Sequence, residues 1–127
     1  MTEEQFDAMV IERVKAIVDC ISKGDFDKLS ALTLSIGFED EEPEKDGAEW
    51  LQQWFKEVFE LWGENHGKEY VVDSFNEMGL ELDERDYKHT LATYHVVGHG
   101  EFIPLWFIMD MYLNDNNEFI TEFVVNI

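Results

Sequence analysis

Hydrophobic residues return every three or four positions through the first part of the chain. Phe6, Met9, Val10, Val14, Ile17, Val18 and Ile21 share one helical face, which predicts a helix over about residues 3–23. Thr2, with Gln5 three residues on, has the form of a capping box, and Gly24 suits the left-handed position that ends a helix. Asp25 can then cap a short helix over about 26–32, carrying Phe26, Leu29 and Leu32. A short extended piece, Thr33 to Phe38, follows. Residues 39–46 then set six acids around Pro43, a stretch expected to be a solvated loop because it has nothing to bury. Asp46 with Glu49 repeats the capping pattern and opens a third helix over about 47–62, with Gly63 as its stop. Its stripe of Trp50, Leu51, Trp54, Phe55, Val58, Phe59 and Trp62 is wide, as on a helix embraced by a sheet.

Beyond Gly67 the period changes from helical to alternating. Segments over about 69–75, 90–97, 102–113 and 118–127 are rich in β-branched and aromatic residues and are expected to be strands. The polar stretch between the first two has room for a further short strand at Leu80 and Leu82. Gly98-His99-Gly100 and Asn114-Asp115-Asn116-Asn117 supply turns for two successive hairpins. Ile103, Leu105, Phe107, Met109, Met111 and Leu113 are all apolar, so this odd set should face the helices. Phe119, Thr121, Phe123, Val125 and Ile127 form the matching set on the last strand. Pairing Met111 with Phe119 and Phe107 with Phe123 keeps apolar against apolar, across a loop of about five residues. The opposite face keeps Phe102, Trp106, Ile108, Tyr112, Ile120 and Val124. That much carbon on a free face suggests a dimer interface, centred on Phe102, Trp106, Ile108 and Tyr112. The fold class is therefore α+β, with N-terminal helices packed on a curved antiparallel sheet of four or more strands in one domain of 127 residues.

Charge narrows the partners. Against 9 Lys and Arg stand 29 Asp and Glu, a formal charge of −20. Phosphate backbones and anionic membrane surfaces would be repelled, so neither nucleic acid nor membrane is an expected partner. A basic protein would be attracted. With one cysteine, Cys20, no intrachain disulfide can form. The first residues have neither a basic nor an apolar leader pattern, and a cytoplasmic setting is the expectation.

The stretch Lys23-Gly24-Asp25-Phe26-Asp27-Lys28-Leu29-Ser30-Ala31-Leu32, joining two helices, resembles the nuclear transport factor 2-like (cystatin-like) superfamily, in which a Gly-Asp turn followed by spaced leucines links the first two helices. The order of the later elements is similar as well. The resemblance implies a curved sheet wrapped around the first and third helices, with a cone-shaped pocket between them. Members include isomerases, dehydratases and cyclases alongside non-catalytic dimeric and scaffold domains, so the fold does not select a function. None of the enzymes' motifs is matched here.

No catalytic residue can be assigned from the residues alone, and His95 is the weak candidate. It shares parity with Leu91, Thr93 and Val97 and would face inward if that strand pairs in phase with Ile103 and Leu105, where it could act as a general base. Asp110 falls on the opposite face from Met109 and Met111. His66 and His89 are placed in loops, no metal or cofactor is expected, and no phosphate-cradling or nucleophile pattern occurs. Trp50, Trp54, Tyr70, Tyr94, His95, Met109 and Thr121 are the candidate lining of a small apolar-ligand pocket. The expectation is a dimeric, non-catalytic domain that binds a small ligand or a protein. Two other readings stay open: a small-pocket lyase or isomerase using His95, and an acidic immunity-type protein that neutralises a basic partner.

Overall fold

The computed structural model describes residues 1–38, 48–66, 71–86 and 88–126. Its elements run α1 (Glu3–Lys23), α2 (Phe26–Leu32), β1 (Ser35–Phe38), α3 (Ala48–His66), a single 3-10 turn (Glu77–Gly79), β2 (Leu80–Asp86), β3 (His89–Gly98), β4 (Glu101–Leu113) and β5 (Phe119–Asn126). The helices pack on an open five-stranded mixed sheet of order β1-β5-β4-β3-β2. Three of its pairings are antiparallel, and β1 joins β5 in parallel at one edge.

Local chemistry sets the helix ends. Thr2 and Gln5 close a reciprocal capping box at the start of α1. Gly24, at φ 76°, donates to Ile21 O, and the Asp25 N–H reaches Cys20 O at 2.8 Å, which satisfies the last carbonyls of α1. Asp25 then accepts from the Lys28 N–H to start α2. The third helix runs past Gly63 to His66, because one glycine weakens a helix without ending it. The acidic stretch 39–46 lies outside the described residues, as does Asp46 of the expected cap.

The core is the odd face of β4 against α1. Phe6, Val10, Val14, Ile17 and Val18 on the helix and Phe107, Met109 and Met111 on the strand are fully buried. Leu51 and Phe55 of α3 join them, and the Phe55 ring meets Phe107 edge-on with centroids 6.1 Å apart. The β4–β5 register differs from the expected one by two residues: Met111 pairs with Thr121, Met109 with Phe123 and Phe107 with Val125. A shift of two leaves every side chain on its face. Phe107 and Phe123 accordingly still meet within the core, 5.2 Å apart.

Further expectations fail. The segment 71–76 forms no strand, and residues 67–70 lie outside the described residues. Its backbone N–H groups are met in other ways: Asp73 donates to Val97 O, Phe75 to Asp19 Oδ1 and Asn76 to the Tyr94 hydroxyl. Asp73 in turn accepts from the His99 and Gly100 N–H groups, pinning the β3–β4 turn. Neither His66 nor His89 is a loop residue: His66 closes α3, and His89 opens β3 opposite Tyr112. The second strand is edged by exposed Glu81, Asp83 and Glu84, while Leu80 and Leu82 turn toward the core.

Candidate functional site

Proline decides how β4 is built. Pro104 has no N–H to give the ladder, and the pairing slips there: His95 lies opposite Trp106, but Val97 lies opposite Phe102. The Ile103 carbonyl is met by the His95 ring, whose Nε2 lies 2.8 Å away. That imidazole is sandwiched between Phe102 and Trp106, at 4.5 and 4.7 Å between centroids and within 18° of parallel. His95 therefore stands on the outer face of the sheet and not in the interior. The β3 residues that face the core are Thr90, Ala92, Tyr94 and Val96. Both parities of β3 carry apolar residues, so alternation along that strand could not decide its face.

The other interior candidates do not line one open cavity. Tyr94 is fully buried, stacked near Phe75 and Phe107, and its hydroxyl accepts from the Asn76 N–H at 3.0 Å. Burial pushes its phenol upward from the ordinary range. Met109 is fully buried. Thr121 is buried and receives Arg13 Nη1 at 3.3 Å, while the same nitrogen bonds Leu32 O and the guanidinium lies over the Phe119 ring. Trp54 packs edge-on against Phe55, Trp50 is 38% exposed, and Tyr70 lies outside the described residues. A cleft of about 340 Å³ does open where the end of α1, α2, α3 and Val71-Val72 meet, lined by Phe26, Phe55 and Phe59 with Lys23 and Gln52. None of the described pocket candidates borders it.

Chemistry gathers instead on the outer face. Phe102, Trp106, Ile108 and Tyr112 lie there together, and every even position of β4 from Phe102 to Tyr112 keeps solvent exposure. Near the centre is a depression of about 470 Å³, lined by Arg85, His89, Leu91, Ile108, Asp110, Glu122 and Val124. Its polar groups come from four adjacent strands. His89 Nε2 stands 2.6 Å from Asp110 Oδ1, each side chain being more than a third exposed. Asp110 is directly opposite Glu122 in the β4–β5 ladder, an arrangement of like charges that destabilises a pair. Burial, followed by the charge of neighbouring Glu122, raises the Tyr112 phenol. Arg85 Nε lies 3.4 Å from Asp83 Oδ2, at the far edge.

This set can hold a cation against an aliphatic floor. It has a histidine–carboxylate pair, but none of its lining residues is a Ser, Thr or Cys that the pair could activate. Among the described residues no three His, Cys, Asp or Glu come together as a metal site. Asp110 and Glu122 are both legible as outer-face residues from the alternation of β4 and β5, whereas nothing in the polar stretch before Thr90 marks His89 as the first residue of β3. Among the described residues, no helix is long and apolar enough to cross a membrane. Comparison with protein-family models, with curated proteins and with solved structures returns no match.

Proposed function

We propose that this chain is a non-catalytic protein-binding domain, of the nuclear transport factor 2-like kind, that docks a basic partner on the outer face of its sheet. One observation carries the reading: the outer face of β4 carries an exposed Phe102 and the partly exposed Trp106, Ile108 and Tyr112. An apolar patch of this kind, rimmed by polar groups, marks a contact surface. Helix–helix–strand–helix order ahead of a run of antiparallel strands supports the family, as does the Gly24-Asp25 turn. The ring sandwich that holds His95 against Ile103 O gives that histidine a structural role and weighs against its use as a base.

Charge chooses the occupant. A second copy would dock isologously, so a two-fold axis through the patch would set Asp110 and Glu122 against their own duplicates. With a formal charge of −20 on each chain, that encounter is opposed at long range as well. A basic partner meets the same carboxylates with opposite sign and is steered toward them.

Selection of a phage-displayed library of random dodecapeptides tests the proposal. Wild-type protein should enrich peptides combining Lys or Arg with apolar residues, and binding should fall between about 0.05 and 0.5 M salt. The enriched peptides should be lost on Trp106→Ala. Enrichment without basic residues, or peptides indifferent to Trp106→Ala, would overturn the reading. So would light scattering that finds a dimer in the wild type and a monomer in the variant.

A further inference from the structure

We infer that the depression on the outer face is an arginine socket, receiving the guanidinium of the partner between Asp110 and Glu122 with its aliphatic stem on Leu91, Ile108 and Val124. This rests on the docking reading above and names what enters its centre.

Three observations converge on it. The depression, about 470 Å³, has room for one long side chain and an aliphatic floor for its methylenes. Its two carboxylates are Cα partners across β4 and β5, which puts their Cβ atoms about 5 Å apart, within the span of one guanidinium fork. His89 engages Oδ1 of Asp110, which leaves Oδ2 of that carboxylate to face a guest.

Among the described residues the ion pairs at this depression join His89 to Asp110 and Arg85 to Asp83, so Glu122 faces Asp110 as a like charge across the ladder. β2 is three strands away from Glu122, about 14 Å at ordinary strand spacing. A planar guanidinium with five donors can bridge two carboxylates, whereas an ammonium acts as a point charge, so arginine is selected over lysine.

The probe is Nα-acetyl-arginine amide, titrated while the methyl signals of Leu91, Ile108 and Val124 are followed by NMR. Saturable shifts at these methyls are expected, with dissociation constants of about 1 mM for so small a fragment. Nα-acetyl-lysine amide should bind several-fold more weakly, and the neutral isostere Nα-acetyl-citrulline amide should give no saturable shift. Glu122→Gln and Asp110→Asn, with the core methyl spectrum unchanged as the check on folding, should each weaken arginine binding about three- to tenfold. Equal binding of the citrulline probe, or indifference to both substitutions, would overturn the socket. Dodecapeptides that need Trp106 but show no arginine enrichment would leave the docking face standing and remove the socket. Arginine-amide binding alongside a failed peptide selection would remove the docking face and keep the socket.

Discussion

Adjacent residues of β4 should differ sharply in what their loss costs. Phe107 is fully buried and lies within about 6 Å of Phe55, Tyr94 and Phe123, ring centre to ring centre, while Ile108, one position on, faces the solvent side with its surface partly open. Phe107→Ala removes a ring from the centre of the core, and substitutions of this kind cost about 3–5 kcal/mol because the cavity closes only in part. Domains of this size are stable by about 5–15 kcal/mol, so the variant should fold but lose a large share of its margin. At roughly 4 °C per kcal/mol, its melting midpoint should drop by about 12–20 °C. Ile108→Ala ends at the same residue yet gives up much less buried area, and about 1 kcal/mol is expected. Urea unfolding followed by far-ultraviolet circular dichroism measures both on one scale. Equal losses for the two variants, or a loss below about 1 kcal/mol for Phe107→Ala, would refute the assignment of faces.

Other consequences are as direct. A Cβ at position 98 would collide with the Val71 carbonyl oxygen, so Gly98→Ala should cost about 1–3 kcal/mol and speed amide exchange at Asp73. The charge of Asp7, chiefly, holds the Glu84 carboxyl above its ordinary range, so the native state binds that proton more tightly than the unfolded chain does. Stability from this site is present at acid pH and lost as pH rises through that raised range; Glu84→Gln should therefore lift the melting midpoint at pH 7 and leave it unchanged near about pH 3, as differential scanning calorimetry would show. Burial pushes the Cys20 thiol upward, so a disulfide reagent at pH 7 should label native protein on the order of a hundredfold more slowly than urea-unfolded protein. Tyr94→Phe leaves the Asn76 N–H without its acceptor and should cost about 1 kcal/mol in the same urea assay.

Elements with strong periodicity and a cap were readable in the chain: α1, α2 and their Gly24-Asp25 junction follow from local chemistry alone. The face of β4 was readable too, because its odd set is uniformly apolar. Register was not, since a shift of two preserves every burial, and only the turn between Asn114 and Glu118 chooses between the alternatives. His95 was misplaced for a different reason. With Leu91 and Val97 on one parity and Ala92, Tyr94 and Val96 on the other, β3 has no polar side to read, and the slip at Pro104 breaks the simple count. The segment 71–76 looked like a strand by composition, but its amides are met by Asp19, by Tyr94 and by the end of β3. Such long-range partners leave no periodic trace. The depression is hardest to read in advance, because Arg85, His89, Asp110 and Glu122 come from four strands that only the sheet order makes neighbours.

The rim strands also restrict how this sheet can grow. β1 is four residues long, and β2 is fringed by Glu81, Asp83 and Glu84, so an incoming strand would find a short template on one side and a row of negative charge on the other. Fibrillar stacking through unpaired backbone is thereby discouraged, even in a chain with 14% aromatic residues. Between these two rims, the flat of the sheet keeps its partly exposed apolar residues.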